Sequence, residues 1–422
     1  MSGFLQRILL VILSGTLFCG CQTSTPSTLS TGQGLTVPSA PVDLSEDSVW
    51  MSMERDIQST VEADGIPGAV LLLARNGEVI GHKAYGTSNP LSGEPMDKEA
   101  LFRICSQTKA ITSMAAMILW ERGALGLDDP VSKYLPEFAH VGVLDTLLGD
   151  TIGVYSPPRT TLTIRHLMTH TCGIPYGDIG DDRFDRLYAK HKVVDLFPID
   201  GRSTRDNVKL LARTGLVHHP GEQWTYGLGL DVLAAVVEVA SGKPYAEFLR
   251  IELLDPLGMD HTHFVVPEEQ RTGLANVFDK DSTGAWQLHE HPRYTTDYPT
   301  HEEWPLCSGG AGLTSTAMDY ARFLQMVVDR GAIPGGRLLE ESTIDTVLAD
   351  HAPAHQDGDW HQGLAFAVQK KPEGQGRFFW GGYFNTHGFG DPATGEVLLL
   401  MKQTYGVNND NSSAAFRSLL SR

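Results

Sequence analysis

Hydrophobic residues recur at helical spacing in some parts of this chain and in short strand-like runs in others. Residues 47–63 predict an amphipathic helix, because their apolar side chains fall on one helical face. Residues 69–75 and 79–85 form two runs of strand length. The Asn76-Gly77 pair between them is typical of a tight turn, so the two runs predict a β-hairpin.

Helical patterns fill the middle of the chain, and strand patterns return near its end. Helices are predicted at 163–170, 206–213, 229–240, 244–254 and 316–330. Strands are predicted at 364–368, 378–380 and 397–402. Because strands lie at both ends with helices between them, we expect an α+β fold: an antiparallel sheet flanked by helices, with a mostly helical lobe inserted. A cleft between the lobes is the expected place for a site.

The first 21 residues have the pattern of an export signal. Arg7 supplies a positive charge, and a short apolar stretch at 8–18 precedes Cys19-Gly20-Cys21. The small Gly20 before Cys21 resembles a bacterial lipobox, in which the cysteine is lipidated and becomes the mature N-terminus. Phe18 is bulkier than the residue that lipoboxes usually have at its position, so ordinary signal cleavage is the alternative.

Ser, Thr and Pro dominate the segment that follows the export signal. Residues 22–46 therefore predict a flexible tether, and residues 47–422 the folded domain. We expect an exported protein of the cell envelope, held on the periplasmic or outer face of a bacterial membrane by a lipid on Cys21. No segment beyond the N-terminus has the apolar length that crosses a bilayer.

Composition and charge narrow the class of protein. The chain of 422 residues is 41% hydrophobic and 20% charged, which is typical of a globular enzyme. Its formal net charge of −18 argues against a nucleic-acid partner, because no basic stretch offsets the repulsion from phosphate.

Cysteine and histidine spacings do not predict a metal centre. Beyond the export signal the cysteines are Cys105, Cys172 and Cys307. An odd number in an oxidising compartment leaves at least one free or pairing between chains. Closely spaced histidines occur as His261 with His263 and as His289 with His291. Neither spacing puts both rings on one helical face, so we expect neither a metal nor a cofactor.

The strongest chemical signal is a serine three residues ahead of a lysine, at the start of a long apolar run. Ser106 and Lys109 are close to one helical turn apart, so their side chains face the same way. Burial disfavours the ammonium form of a lysine, which can then take a proton from a hydroxyl. This pair predicts a serine nucleophile that needs no histidine. The alternative is a core helix with a capping serine and a lysine that extends to solvent.

Two further windows carry candidate chemistry. Tyr226 stands between a Pro-Gly turn and a predicted helix, and a phenol beside a lysine ammonium can act as a general base. The alternative is an aromatic side chain that caps the core. In the second window, Gly381 and Gly382 follow a strand, where they allow close approach to the backbone. The amide of Tyr383 can then point at an oxyanion, although such glycines often form only a bend.

Together the three windows resemble the serine β-lactamase and penicillin-binding-protein superfamily on its class C side, and most of all the β-lactamase-like carboxylesterases. The likeness runs from about residue 50 to 405. Further windows that carry it, in family order, are 125–136, 163–173, 256–259 and 310–316. The resemblance implies a β-lactamase/transpeptidase-like fold and a small-molecule ester or amide substrate.

The resemblance also implies roles for individual residues. Ser106 would be the nucleophile, Lys109 and Tyr226 its proton relay, and the backbone amides of Ser106 and Tyr383 the oxyanion donors. The family's third motif falls on the substrate-binding residues Trp380, Gly381 and Gly382.

Two departures from the family pattern favour a neutral ester as substrate. Leu228 stands where penicillin-recognising relatives have an asparagine, and Trp380 where they have a cation for the substrate carboxylate. Tyr383 and Phe384 also replace small residues, which implies a narrow acyl pocket. The alternatives are a β-lactamase or D-Ala-D-Ala carboxypeptidase, and a non-catalytic penicillin-binding or wall-sensing protein. The intact Ser106, Lys109 and Tyr226 argue against the non-catalytic one.

Overall fold

A central antiparallel sheet with helices on both faces forms the body of this protein. The computed structural model describes residues 34–177, 180–352, 358–371 and 376–420. Its strands are β1 Gly68–Arg75, β2 Glu78–Asn89, β3 Glu94–Pro95, β4 Phe102–Arg103, β5 Val143–Leu148, β6 Ile152–Ser156, β7 Phe278–Lys280, β8 Trp286–Leu288, β9 Thr314–Ser315, β10 Ala332–Ile333, β11 Gly336–Arg337, β12 Trp360–Gln362, β13 Ala367–Gln369, β14 Phe378–Gly381, β15 His387–Asp391 and β16 Glu396–Met401. The main sheet has the order β12-β13-β14-β15-β16-β1-β2-β3, so strands from the two ends of the domain are neighbours.

Most helices lie between β4 and β12 in sequence. They are α1 Ser48–Glu62, α2 Thr108–Glu121, α3 Ile164–Met168, α4 Asp182–His191, α5 Thr204–Leu211, α6 Gly229–Ser241, α7 Tyr245–Leu249, α8 Asp255–Leu257, α9 Ala317–Val328, α10 Glu341–Leu348 and α11 Asn411–Leu420. A π-helical turn at Arg250–Leu254 joins α7 to α8. The predicted α+β architecture, an antiparallel sheet with an inserted mostly helical segment, is confirmed.

The sheet is covered on both faces, which explains why β1 is apolar without alternation. Val70 and Leu72 belong to one core cluster, together with side chains of α2 and α9. Leu71 and Leu73 point to the opposite face and pack with side chains of α1 and α11. A strand buried on both faces needs apolar residues at every position. The hairpin turn at Asn76 and Gly77 has positive φ angles of 49° and 79°, as the Asn-Gly signal predicts.

The helix α2 is buried along almost its whole length. Every residue from Thr108 to Leu119 is buried, and α6 packs beside this helix. A helix that is apolar all round is typical of a core position. This burial fixes the position of the start of α2 and of the predicted nucleophile, Ser106, which lies just before it.

Several elements were not predicted from the sequence pattern. They are α4, α10, α11, β15 and the hairpin of β5 and β6. The last of these lies inside the region that was expected to be mostly helical, and its exposed residues include Leu148, Ile152 and Val154. Among the described residues no helix is both long and apolar enough to span a membrane.

The predicted export signal and residues 22–33 of the predicted tether lie outside the described residues. Thr36, near the end of the tether, is described and contacts the body. Its backbone amide donates to the Gly77 carbonyl (2.8 Å), and its carbonyl accepts from the Val79 amide (2.8 Å). This part of the tether therefore lies along the first hairpin.

Candidate active site

Ser106 lies in a tight turn between β4 and α2. The turn covers Cys105–Gln107, and α2 begins directly after it at Thr108. Cys105 has a left-handed backbone conformation with φ of 46°, which is uncommon for a residue with a side chain. Ser106 is half-buried, whereas its two neighbours are fully buried, so the turn presents the serine hydroxyl rather than the residues beside it.

Lys109 points back along α2 toward Ser106. Its ammonium donates to the Ser106 hydroxyl (3.2 Å), the Tyr176 hydroxyl (2.9 Å) and the Gly310 carbonyl (2.7 Å). The side chain is only 2% exposed, and no carboxylate among the described residues lies within ion-pair distance of it. The three acceptors account for the three ammonium protons, so the direction of this side chain is well defined.

Tyr176 is a site residue that sequence reasoning missed. It is buried, and burial together with the neighbouring Tyr226 and Asp231 raises the pKa of its phenol well above the ordinary value. Tyr176 is therefore a neutral hydroxyl that orients Lys109. The only signal in the sequence is its position between Pro175 and Gly177, directly after one of the family windows.

Tyr226 approaches Lys109 through its ring. The Lys109 nitrogen lies 4.7 Å from the centroid of the Tyr226 ring, and the Tyr176 ring lies 5.7 Å from it, centroid to centroid. The structure thus brings Ser106, Lys109 and Tyr226 together at one point, as the sequence predicted. Their roles in catalysis stay a prediction.

A buried histidine lies behind Tyr226. The His170 ring is 4.8 Å from the Tyr226 ring, and it stacks on Trp380 at 5.7 Å. Burial and the charge of Lys109 lower the pKa of His170 to about 3. The ring is therefore neutral near pH 7 and supplies packing rather than charge to the site.

The loop after β14 closes on the turn that carries Ser106. A Cβ atom on Gly382 would lie 2.4 Å from the Ile104 carbonyl oxygen, so only glycine fits there. The sequence suggested that the glycines make room for a substrate, whereas Gly382 makes room for the protein's own backbone. Backbone hydrogen bonds from Phe384 and Tyr383 act on the Cys105 thiol, although burial raises its pKa to about 12. The amide of Tyr383 thus lies beside the nucleophile turn.

The other predicted substrate-binding residues differ in their exposure. Trp380 and Gly381 are partly exposed at the end of β14. Leu228 is only 2% exposed and packs in the core before α6, so its effect on substrates is the absence of a polar side chain rather than a contact. Phe384 is fully buried among aromatic rings, so a narrowing of the acyl pocket would depend on Tyr383 alone.

A second layer positions the carbonyl that receives Lys109. Ser308 donates to the buried carboxylate of Asp231 at 2.6 Å, and the Ala311 amide donates to Ser308 at 3.0 Å. A Cβ on Gly310 would lie 2.5 Å from the Asp231 carboxylate. Burial raises the pKa of Asp231. This layer holds Gly310 where its carbonyl meets Lys109.

The arrangement can support covalent catalysis without a metal-bound or histidine-activated nucleophile. The Lys109 ammonium is hydrogen-bonded to the Ser106 and Tyr176 hydroxyls, and the Tyr226 ring packs against it, so proton transfer among neighbouring groups is possible. The Tyr383 amide lies beside Cys105, the residue before Ser106, so it is a donor close to the turn where a negative oxygen would form. Among the described residues no group of three or more metal-ligating side chains occurs.

Comparison with known proteins identifies the family of this chain. A family model described as Beta-lactamase matches residues 53–421. The chain is 29% identical over 370 residues to Protein Rv1367c of Mycobacterium tuberculosis, covering 83% of this chain and 89% of that protein. It is 32% identical over 355 residues to Esterase EstB of Burkholderia gladioli, covering 80% and 86% of the two proteins.

One solved structure is similar to this protein over almost the whole length of the solved chain. It is EstCE1, described as a hydrolase with promiscuous acyltransferase activity. The two proteins are 26% identical, with a TM-score of 0.74, and the match covers 88% of this chain and 99% of that one.

Proposed function

Because the chain belongs to the Beta-lactamase family, we propose that it is an esterase that hydrolyses neutral carboxylic esters through an acyl-enzyme on Ser106. The observation that carries the proposal is the hydrogen bond from the buried Lys109 ammonium to the Ser106 hydroxyl. Similarity to Esterase EstB and to EstCE1 supports the hydrolysis of esters.

The reaction would proceed in two halves. The Ser106 oxygen attacks the ester carbonyl, while the proton of its hydroxyl passes to the relay of Tyr226 and Lys109. The relay accepts this proton with one proton fewer than the resting pair, as a neutral Lys109 amine or a Tyr226 phenolate. The carbonyl oxygen becomes negative, and the amides of Ser106 and Tyr383 stabilise it. The bond to the leaving oxygen then breaks, and the relay returns the proton to that oxygen. Water next attacks the acyl-enzyme, gives a proton to the relay, and Ser106 recovers its own.

The residues around the site favour a neutral substrate. An anionic substrate would lose hydration around its carboxylate on entering the cleft. Trp380, which is partly exposed, offers no charge to replace that hydration, and the buried Leu228 supplies no polar side chain. A hydrogen bond to a charged group contributes about 1.5 to 3 kcal/mol, so its absence weakens binding of such a substrate by roughly tenfold or more.

We expect short-chain neutral esters to be better substrates than β-lactams. The measurement compares kcat/KM for acetyl, butyryl and longer nitrophenyl esters with that for a chromogenic cephalosporin on one purified preparation. Values should be highest for the short esters, because Tyr383 borders the acyl side of the site. A cephalosporin value equal to or above that of the best ester would support the β-lactamase alternative instead.

The location proposed for this enzyme is the membrane surface of the cell envelope. It is supported by the lipobox-like Gly20-Cys21 and the polar segment at 22–46. Cys21→Ser should abolish lipid attachment and move the protein from the membrane fraction to the soluble fraction. Cys19→Ser is the matched control and should leave the distribution as it was. A Cys21→Ser protein that stays in the membrane fraction would show that Cys21 is not the anchor.

A further inference from the structure

A half-exposed tryptophan extends the catalytic tyrosine toward solvent. The Trp224 ring stacks on the Tyr226 ring with a centroid distance of 5.9 Å and an interplanar angle of 15°. Trp224 is 42% exposed, whereas large aromatic side chains are mostly buried in this protein. In this pair of rings, Tyr226 contacts Lys109, and Trp224 is accessible to a ligand.

The Trp224 indole is held by a hydrogen bond to the edge strand β12. Its Nε1 donates to the Gln362 side-chain oxygen at 3.3 Å. Gln362 ends the edge strand β12 and is itself buried, with its amide nitrogen donating to the Gly363 carbonyl at 2.9 Å. A tryptophan fixed by a hydrogen bond at one end presents a rigid flat surface at little further cost in conformational entropy.

The rings of His170 and Trp380 also restrict the position of Trp224 and Tyr226. His170 lies 5.6 Å from Trp224, edge to face, and its carbonyl accepts from the amide of Thr225 at 2.7 Å. His170 holds a left-handed φ of 58°, and its buried Nδ1 has no hydrogen-bond partner among the described residues. Trp380 stacks on the other side of this histidine. Two stacked pairs of rings therefore border the site beside Tyr226.

We propose that Trp224 is a binding residue for the alcohol part of the substrate, and that this part is a planar aromatic group. The inference rests on the proposed function. In that reaction the leaving oxygen takes its proton from Tyr226, so it must lie beside the Tyr226 hydroxyl. The substituent on that oxygen then lies within reach of the ring that stacks on Tyr226. The acyl group lies on the other side, by Tyr383.

The test uses two acetate esters that differ in the flatness of the alcohol. Benzyl acetate has a planar ring, and cyclohexylmethyl acetate has a puckered ring of similar size on the same primary alcohol. The variant Trp224→Ala should lower kcat/KM for benzyl acetate by about threefold to tenfold, the scale of one aromatic contact. The loss should appear in KM, whereas the value for cyclohexylmethyl acetate should change less than about twofold.

Two further variants serve as controls. Trp224→Phe keeps a flat ring and should retain the preference for the benzyl ester. Trp286 is a partly exposed tryptophan on the separate hairpin of β7 and β8, and its indole donates to Asp64. Trp286→Ala should leave kcat/KM for both esters unchanged. Covalent labelling of Ser106 by a fluorophosphonate reports that each variant is folded.

The outcomes separate this inference from the proposed function. Labelled, active protein in which Trp224→Ala lowers both esters equally would overturn the aromatic subsite alone. So would a Trp224→Ala protein that hydrolyses benzyl acetate with the kcat/KM of the unmodified protein. An unmodified protein that neither labels nor hydrolyses any ester would overturn the proposed function, and the subsite with it.

Discussion

Ser106→Ala should abolish ester hydrolysis and fluorophosphonate labelling while the protein stays folded. The substitution removes one oxygen, and with it the only atom that forms the acyl bond. Loss of a nucleophile of this kind lowers kcat by about 10⁵ to 10⁶. The effect on folding should be small, because only one hydrogen bond from Lys109 is lost, at about 0.5 to 1.5 kcal/mol.

The matched control for this prediction is Ser113→Ala on the same helix. Ser113 is buried in α2, about two turns beyond Ser106, and it makes no hydrogen bond to Lys109. It should keep both labelling and turnover. Thermal unfolding of the two variants reports their stability. Labelling of Ser106→Ala on another serine would contradict the assignment of the nucleophile.

The second large effect concerns the proton relay. Lys109→Ala and Tyr226→Phe should each lower kcat by roughly 10² or more, which is the usual scale of general acid–base catalysis. Because the two side chains act as one unit, the double variant should be little slower than the slower single variant. Steady-state kcat for a nitrophenyl acetate substrate measures all three. Losses that multiply in the double variant would show that the residues act independently.

Tyr176→Phe decides which phenol belongs to the relay. Its hydroxyl, not that of Tyr226, accepts the short hydrogen bond from Lys109. Because burial keeps Tyr176 neutral, we expect its loss to disturb the position of Lys109 and to cost less than the loss of Tyr226. A Tyr176→Phe variant slower than Tyr226→Phe would assign the relay to Tyr176.

Local sequence patterns predicted those helices and strands whose buried residues recur at a regular spacing. The helix α1, the Asn76-Gly77 hairpin and the helix α2 follow from period and turn chemistry. The short helix α4 and the hairpin of β5 and β6 were missed. The hairpin is mostly exposed, so its apolar residues give no clear alternation. The helix α4 does carry Phe184, Leu187 and Tyr188 at helical spacing, but it is short and its other residues are mainly charged.

The candidate site was predictable where its residues are close in sequence. Ser106 and Lys109 follow from one helical turn, and their hydrogen bond confirms the geometry. Tyr226 and Tyr383 were singled out by their local windows, but only the family resemblance joined them to Ser106, since no spacing in the chain relates them to it. The family resemblance implied that Phe384 narrows the acyl pocket, but its ring is fully buried in the core. A resemblance in sequence position therefore does not fix where a side chain points.

The sequence by itself therefore determined the two-sided sheet, the buried helix α2 and the serine–lysine pair at its start. Only the tertiary structure decided which groups surround that pair. Tyr176, Gly310 and Trp224 come from segments far apart in the chain, and their meeting depends on packing between lobes. Hydrophobic period records which face of an element is buried, but not what lies opposite it. Contacts between distant segments do not depend on the spacing of apolar residues, so they cannot be predicted from it and require the tertiary structure.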